Sequence, residues 1–194
     1  MRHIVNSLLA AACAGRDLPP EEAETLAGLL PGALPDLLAV AGAARLAGGS
    51  SPFTCGIINA RSGRCGENCA FCAQSRYHNT AATVHPLVSG EKLLNRAENL
   101  AKEGVSYMGI VTSGGAPSDR DFERICRAAD RISRTVGIKL CASLGLLTSG
   151  QALALKQAGF TSYHHNLESG RSYFSRICTT HSYDQRVETV KKAR

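Results

Sequence analysis

The segment Phe53-Thr-Cys-Gly-Ile-Ile-Asn59 is the first of four apolar runs typical of β-strands, and each run is followed by a stretch with helical periodicity. The predicted strands are Phe53–Asn59, Tyr107–Thr112, Gly137–Ala142 and Phe160–Asn166. The predicted helices are Glu91–Glu103, a segment opened by Ser118 and Asp121, a segment from Thr148 to Gly159, and a segment opened by Ser182 and Gln185. This alternation predicts a parallel sheet with helices packed outside it.

The length of this repeating region indicates a partial barrel. A complete (β/α)8 barrel of the TIM type needs about 250 residues, whereas the chain has 194 residues and its last residues still show a helical pattern. We therefore expect an α/β fold of the (β/α)8 type over residues 51–194, truncated to about four βα units and preceded by an N-terminal helical segment, residues 1–50. An intact flavodoxin-like fold is the alternative.

The N-terminal segment carries its own helix signals. Pro19-Pro20-Glu21-Glu22 predicts a helix start, because proline fits the first turn and acidic side chains favour the positive end of the helix dipole. A second helix is predicted from Asp36 to Ala47, and Gly48–Pro52 is predicted to be a linker. The apolar stretch Ile4–Ala14 resembles a weak signal peptide, but its minimal charged region favours an amphipathic helix.

Composition excludes several classes of protein. Apolar residues make up 44% of the chain, which excludes wholesale disorder, and no apolar run approaches the roughly 18 residues of a membrane span. A net charge of +6, from 22 basic and 16 acidic residues, is too modest to indicate a nucleic-acid binder. Neither nucleic acid nor a membrane is therefore expected as a partner. The eight cysteines are too sparse for a small disulfide scaffold.

Three of the cysteines form the motif Cys65-Gly-Glu-Asn-Cys69-Ala-Phe71-Cys72, with the spacing C-x3-C-x2-C. Three thiolates from one loop can hold three corners of a [4Fe–4S] cluster and leave the fourth iron open to another ligand. The loop follows the first predicted strand, and barrel active sites lie at the carboxyl ends of strands. The alternatives are a zinc site with His78 as fourth ligand and three unrelated free cysteines. Because a cluster needs reduced thiols, we expect a cytoplasmic location.

The sequence around this triad carries a family resemblance. The C-x3-C-x-aromatic-C pattern resembles the radical S-adenosylmethionine (SAM) superfamily. More specifically, the flanking motifs resemble the biotin synthase family: Phe53–Cys65, Cys72-Ala-Gln-Ser75, Tyr163-His-His-Asn-Leu-Glu168 and Ile177-Cys-Thr-Thr-His-Ser-Tyr-Asp-Gln-Arg186. These motifs occur in the family's order and cover roughly residues 50–194.

The resemblance implies an enzyme, a radical SAM sulfurtransferase that converts dethiobiotin into biotin. In this family the reduced cluster passes one electron to SAM, the radical that results removes hydrogen from dethiobiotin, and an auxiliary iron–sulfur cluster donates the sulfur. The resemblance also implies an electron donor of the flavodoxin or ferredoxin type and a homodimer for the full-length protein. The truncated chain itself is expected to be inactive in the conversion of dethiobiotin into biotin.

Carried over residue by residue, the resemblance implies that Cys65, Cys69 and Cys72 bind the [4Fe–4S] cluster. The residues implied to contact SAM are Phe71 at the adenine, Ser113 and Gly114 at the methionine group, Asn166 and Glu168 at the ribose, and Arg186 at the carboxylate. His164, Asn166 and Glu168 alternate along the fourth predicted strand, so all three are predicted to face the barrel lumen. His164 is the candidate contact for dethiobiotin.

The resemblance also implies an auxiliary cluster, of the [2Fe–2S] type or a variant, but the chain matches fewer of the family's ligands for it. Cys141 matches one family ligand, and the phase of its strand predicts a lumen-facing thiol. Cys55 and Cys178 are further candidates because they lie near strand ends. The chain departs from the family at the second strand, where Tyr107-Met108-Gly109 stands in place of the familiar cysteine.

The two remaining cysteines are predicted to serve packing. Cys126 lies on an apolar helix stripe, and Cys13 lies outside the barrel as a small buried residue. The missing second-strand cysteine leaves two other functions open. One is a different radical SAM enzyme of the biotin synthase-like group. The other is a non-enzymatic truncated module that binds an iron–sulfur cluster or zinc.

Overall fold

The chain divides into two compact units, Met1–Pro52 and Phe53–Arg194. A computed structural model describes residues 2–17, 19–28, 32–49 and 53–194, so residues 50–52 of the predicted linker lie outside the described residues. The described part of the first unit contains α1 (Arg2–Cys13), α2 (Pro20–Gly28) and α3 (Leu34–Ala47).

The helices predicted for the first unit are confirmed, with small changes at their ends. Helix α2 begins at Pro20 with acidic residues in its first turn, as predicted. Helix α3 begins at Leu34, earlier than predicted, because Pro35 occupies the first turn, where a missing backbone N–H costs nothing. The prediction for Cys13 is wrong: the residue ends α1 and is exposed.

The second unit is a run of parallel βα units. Its elements are β1 (Cys55–Arg61), α4 (Gly90–Lys102), β2 (Tyr107–Thr112), α5 (Asp119–Thr135), β3 (Lys139–Ser143), α6 (Ser149–Gln157), β4 (Phe160–Tyr163), α7 (Arg171–Ile177) and α8 (Tyr183–Ala193). The strands form one parallel sheet in the order β1-β2-β3-β4. This is the partial (β/α) barrel that the sequence predicts.

The main core lies between one face of this sheet and its helices. Helix α4 buries Leu93, Leu94, Ala97 and Leu100, and α5 buries Phe122, Ile125, Ala129 and Ile132, as their periodicity predicts. The predicted caps are formed: the Ser118 hydroxyl accepts a hydrogen bond from the Asp121 N–H at 3.3 Å, and full capping boxes open α6 and α8. Cys126 is half-buried against this core.

The end of β4 departs from the prediction. The strand stops at Tyr163 instead of Asn166, after a register shift against β3 between Leu140 and Cys141. The following short helix, α7, was not predicted, because Phe174 is the one residue it buries and this leaves no helical stripe in the sequence. Within the described ranges, no helix combines the length and apolar character needed to cross a membrane.

Candidate active site

A cleft of about 250 Å³ lies at the carboxyl ends of the strands. Loops after all four strands contribute to its wall, and this is where barrel enzymes place their active sites. The cleft is lined by the three triad cysteines and by every residue implied to contact SAM or dethiobiotin: Cys65, Cys69, Cys72, Phe71, Ser113, Gly114, His164, Asn166, Glu168 and Arg186.

The cysteine loop is held by its own backbone. The Cys65 N–H donates to the Gln74 carbonyl at 2.9 Å, and the Cys65 carbonyl accepts from the Arg76 N–H at 2.9 Å. The Glu67 N–H points at the Cys65 sulfur, 3.5 Å away. Cys65 and Cys69 are buried and Cys72 is half-buried, while Phe71 is exposed at the cleft rim. Hydrogen bonds within the loop therefore help to fix the positions of the three thiols.

The cysteine loop is also tied to the chain that follows α7. The Asn68 side chain donates to Thr179 Oγ1 at 2.6 Å and accepts the N–H groups of Thr179 and Thr180 at 2.9 and 3.3 Å. The Ala70 N–H donates to the Ile177 carbonyl at 2.8 Å. These bonds join two segments more than 100 positions apart, so the loop depends on the end of the chain for its shape.

A chain of polar side chains runs from this loop to Arg186. The Glu67 carboxylate accepts hydrogen bonds from Thr180 Oγ1 and His181 Nδ1, both at 2.5 Å. The other ring nitrogen of His181 accepts from Arg186 Nε at 3.0 Å. Burial raises the pKa of Glu67, but the bonds from Thr180 and His181 and the charge of Arg186 outweigh it and lower the pKa overall.

Another part of the cleft lining is a glycine-lined surface, formed by Gly114, Gly115 and Gly145. Gly114 has φ +110, and a Cβ on it would lie 2.5 Å from Arg61 Nη2. That guanidinium holds the loop after β2 through hydrogen bonds to the Ser113 carbonyl. A Cβ on Gly145, which has φ +89, would lie 2.2 Å from the Gly115 carbonyl oxygen. Two loops therefore approach each other backbone to backbone, and only glycine permits this contact.

The chain after β4 enters the cleft irregularly: His164, Asn166 and Glu168 all line it, but they follow the end of β4 at Tyr163 and do not alternate along a strand. His165 borders the cleft together with His164 and Asn166, although strand phase would put it on the other face. Glu168 has φ +66, an uncommon conformation for a residue other than glycine and one often found at functional sites.

Arg186 organises this part of the cleft. Its Nη1 donates to the Asn166 carbonyl at 2.5 Å and lies 3.8 Å from a Glu168 carboxylate oxygen. Its guanidinium carbon lies 5.8 Å from the centre of the Phe174 ring. With 11% of its side chain exposed, Arg186 presents a fixed cation to the cleft.

His165 carries a buried nitrogen, Nε2, without a hydrogen-bond partner among the described residues. Burial and the nearby charges of Arg186 and His181 lower the pKa of His165 to about 4. The ring is therefore neutral at pH 7 and offers an unsatisfied polar atom at the cleft.

The candidate auxiliary cysteines divide into two places: Cys55 and Cys141 interact electrostatically across the sheet, and Cys178 lies beside the triad. Cys141 is buried in the sheet, where Ser162 Oγ donates to its sulfur at 3.0 Å, and burial raises its pKa. Cys55 is exposed at the start of β1. Cys178 instead packs with Cys69 and Phe174, and the Cys69 thiol donates to the Cys178 sulfur at 3.7 Å. Burial and this bond raise the pKa of Cys69 to about 12. Cys178 therefore lies next to a triad cysteine, and its role as an auxiliary ligand stays a prediction.

His78 does not complete a zinc site with the triad. Its Nε2 donates to the Cys69 carbonyl at 3.0 Å. Among the described residues, the group whose metal-binding atoms converge within 4.8 Å is Cys69, Cys178 and His181, and His78 is not part of it.

Several functional candidates escaped the sequence reasoning. Asn68 and Thr180 tie the cysteine loop to the chain after α7, and Glu67, His181, His165 and Gly145 line the cleft. The motif containing Thr180 and His181 was visible in the sequence, but its contacts to the cysteine loop depend on tertiary structure.

The residues present fit an iron–sulfur cluster with SAM beside it. Three thiols of one loop line the cleft, as a cluster with an open iron requires. The rest of the lining offers a carboxylate for hydroxyl groups, a fixed guanidinium for a carboxylate and a surface without side chains for close backbone contact.

Comparison with known proteins finds relatives over most of the chain. The chain is 51% identical over 183 residues to a biotin synthase of Nitratidesulfovibrio vulgaris (strain DSM 19637 / Miyazaki F), a match that covers 89% of the chain and 50% of the relative. It is 46% identical to a biotin synthase of Pelotomaculum thermopropionicum, covering 97% of the chain and 59% of the relative. The chain thus spans about half the length of the curated relatives it matches.

Solved structures show the same fold. Methylornithine synthase superposes with a TM-score of 0.80 at 19% identity, over 96% of this chain and 55% of that one. The FeFe-hydrogenase maturase HydG from Carboxydothermus hydrogenoformans superposes with a TM-score of 0.71 at 16% identity, over 99% of this chain and 46% of that one.

The model of the radical SAM superfamily matches residues 60–194, which is most of the chain and includes the cysteine triad and the whole cleft. This match and the similarity to biotin synthases imply a [4Fe–4S] cluster and SAM as cofactors. The chain therefore belongs to the radical SAM superfamily.

Proposed function

We propose that this chain forms the cluster- and SAM-binding part of a biotin synthase, the radical SAM sulfurtransferase that converts dethiobiotin into biotin. The observation that carries the proposal is the single cleft in which the cysteine triad meets the candidate SAM residues. The similarity to biotin synthases over most of the chain supports the choice of reaction.

Cys65, Cys69 and Cys72 would hold three irons of the cluster. When bound, the cluster and SAM supply radical chemistry able to remove hydrogen from an unactivated carbon. The protein's part is to keep one iron open and the loop rigid. The Glu67 N–H, 3.5 Å from the Cys65 sulfur, would stabilise a thiolate there.

The cleft residues would orient SAM. Arg186, fixed by Asn166 and His181, would pair with the carboxylate of SAM. Glu168 would accept hydrogen bonds from the ribose hydroxyls, and Asn166 would contact the same sugar. Phe71, exposed at the rim, would cover the adenine.

On the loop after β2, the backbone of Ser113 and Gly114 would face the methionine group of SAM. The positive φ of Gly114 and its close contact with Arg61 give this loop the shape that such an approach needs.

Dethiobiotin would lie beside His164, which borders the cleft and is exposed. For the auxiliary cluster, of the [2Fe–2S] type or a variant, Cys141 is our first candidate and Cys55 the second. The electron would come from a flavodoxin or ferredoxin, in the reducing cytoplasm, and the whole protein would be a homodimer. The free state of all eight cysteines fits a reducing compartment.

One observation favours a second candidate function. Gly109 lies beside Cys141 in the sheet, on the strand where the family has a further cysteine. A site with fewer thiols would suit another radical SAM enzyme of the biotin synthase-like group, one without sulfur insertion.

Anaerobic reconstitution of the chain tests the proposal. We expect a brown protein with roughly four irons that cleaves SAM when reduced by dithionite. Cys126→Ser, which changes a thiol on α5 away from the cleft, is the matched control and should behave like wild type. Stoichiometric zinc with no retained iron would contradict cluster binding. SAM cleavage without biotin formation in the full-length protein would favour the second candidate.

A further inference from the structure

Cys69, Cys178 and His181 form a compact group at the side of the cleft. Their metal-binding atoms all lie within 4.8 Å of one another. The two sulfurs are 3.7 Å apart, and the Cys178 sulfur lies 3.3 Å from Nδ1 and 3.8 Å from Nε2 of His181. Both cysteines are buried and packed with Phe174, which holds this geometry.

These distances match a tetrahedral ion. With zinc–sulfur bonds of about 2.3 Å and zinc–nitrogen bonds of about 2.0 Å, two sulfurs lie about 3.8 Å apart and a sulfur and a nitrogen about 3.5 Å apart. The sulfur–sulfur separation of 3.7 Å and the 3.8 Å from the Cys178 sulfur to Nε2 of His181 agree with these values within a few tenths of an ångström.

The surroundings of His181 also suit a metal ligand. Glu67 accepts the Nδ1 proton at 2.5 Å, which leaves the Nε2 lone pair for an ion. A histidine held by a carboxylate in this way is the usual arrangement behind metal-bound imidazole. In the metal-free chain that lone pair accepts a hydrogen bond from Arg186 at 3.0 Å, and an ion would replace this bond.

We propose that Cys69, Cys178 and His181 form a second metal site, which takes one Zn²⁺ ion with water as the fourth ligand. Because Cys69 belongs to both sites, Zn²⁺ there and the [4Fe–4S] cluster exclude each other. Binding requires both thiols to lose their protons, so Zn²⁺ uptake releases protons. The exclusion rests on the proposed function, whereas the Zn²⁺ site rests on the three side chains alone.

The test uses reduced, metal-free chain under anaerobic conditions. Zn²⁺ is titrated against a chromophoric chelator, and Co²⁺ serves as a spectroscopic probe whose absorption reports thiolate ligands and tetrahedral geometry. We expect one tight site. Cys178→Ser and His181→Gln should each weaken it by at least about 100-fold, more than the loss of an outer partner usually does.

Matched variants separate this site from the triad. Cys65→Ser and Cys72→Ser, which leave Cys69, Cys178 and His181 intact, should bind Zn²⁺ like wild type. Zn²⁺ binding that survives both Cys178→Ser and His181→Gln but fails in Cys65→Ser and Cys72→Ser would place the ion on the triad and overturn the proposal. Circular dichroism of each variant checks that the fold is kept.

Competition is measured separately. Zn²⁺ added before iron and sulfide should slow cluster reconstitution in wild type and have a much smaller effect in Cys178→Ser. If Cys178→Ser is slowed as much as wild type, the exclusion is wrong. If no variant retains iron even without Zn²⁺, the proposed function fails, and the Zn²⁺ titration still stands on its own.

Discussion

The cysteines of the triad belong to one hydrogen-bonded loop, whereas the two cysteines of the sheet belong to separate strands. Cys65, Cys69 and Cys72 occupy a loop that is hydrogen-bonded within itself and to residues 177–181. Cys55 and Cys141 lie on separate strands, one exposed and the other beside Ser162. A loop brings its ligands together through local spacing, whereas a sheet does so only through the register of distant strands.

This difference predicts that substitutions in the two groups of cysteines will affect iron content and SAM cleavage differently. Cys72→Ser removes one of the three proposed cluster ligands from a single loop, so iron content should fall and SAM cleavage should drop by at least about 100-fold. Cys141→Ser should leave SAM cleavage unchanged, because Cys141 does not border the cleft, and should lower the iron content only by the share of the auxiliary cluster. Iron analysis and SAM cleavage of the two variants side by side provide the measurement. An equal loss in both variants would show that the two regions form one site.

A substitution in the glycine-lined surface should give the next largest effect, on stability and SAM binding. A Cβ on Gly145 would lie 2.2 Å from the Gly115 carbonyl at a positive φ, so Gly145→Ala should lower the free energy of unfolding by about 1–3 kcal/mol and disturb SAM binding. Gly137→Ala, where no atom lies within 4 Å of the added Cβ, is the control. Urea unfolding measures both. If the two variants were equally stable, the loops that carry Gly115 and Gly145 could move apart without loss of unfolding free energy.

Glu168 tests the polar end of the cleft. Glu168→Gln keeps the size of the side chain but replaces charged hydrogen bonds by neutral ones, so the Kd for SAM should rise about 10-fold. Glu188→Gln, an exposed residue of α8 paired with Lys191, should leave it unchanged. Equilibrium binding to reconstituted protein gives both constants. A Kd unaffected by Glu168→Gln would remove this carboxylate from the SAM site.

The same contrast explains what the sequence could predict. Helix caps at Ser118, Thr148 and Ser182 and the cysteine spacing are local patterns, and the structure forms the caps as predicted. The early end of β4 could not be predicted, because the register shift depends on β3. The position of Cys178 could not be predicted for the same reason. Only the packing of α7 shows that it lies beside Cys69.

The smallest expected effect concerns His165, whose position in the cleft also depends on the irregular chain after β4. Its pKa is lowered to about 4 in the folded chain, so between about pH 6.5 and pH 4 the unfolded chain binds the extra proton and the folded chain does not. Stability from this residue is therefore fully present above pH 6.5 and is lost as the pH falls toward 4.

His165→Gln should flatten this part of the stability profile, measured by urea unfolding between pH 4 and pH 7. His164→Gln changes the exposed neighbour and should keep the wild-type slope. Because Arg186 and His181 contribute to the low pKa of His165, a ligand whose carboxylate neutralises Arg186 should raise it. SAM binding should then move the transition of His165 toward neutral pH in the wild type. A profile that SAM leaves unchanged would place its carboxylate away from Arg186.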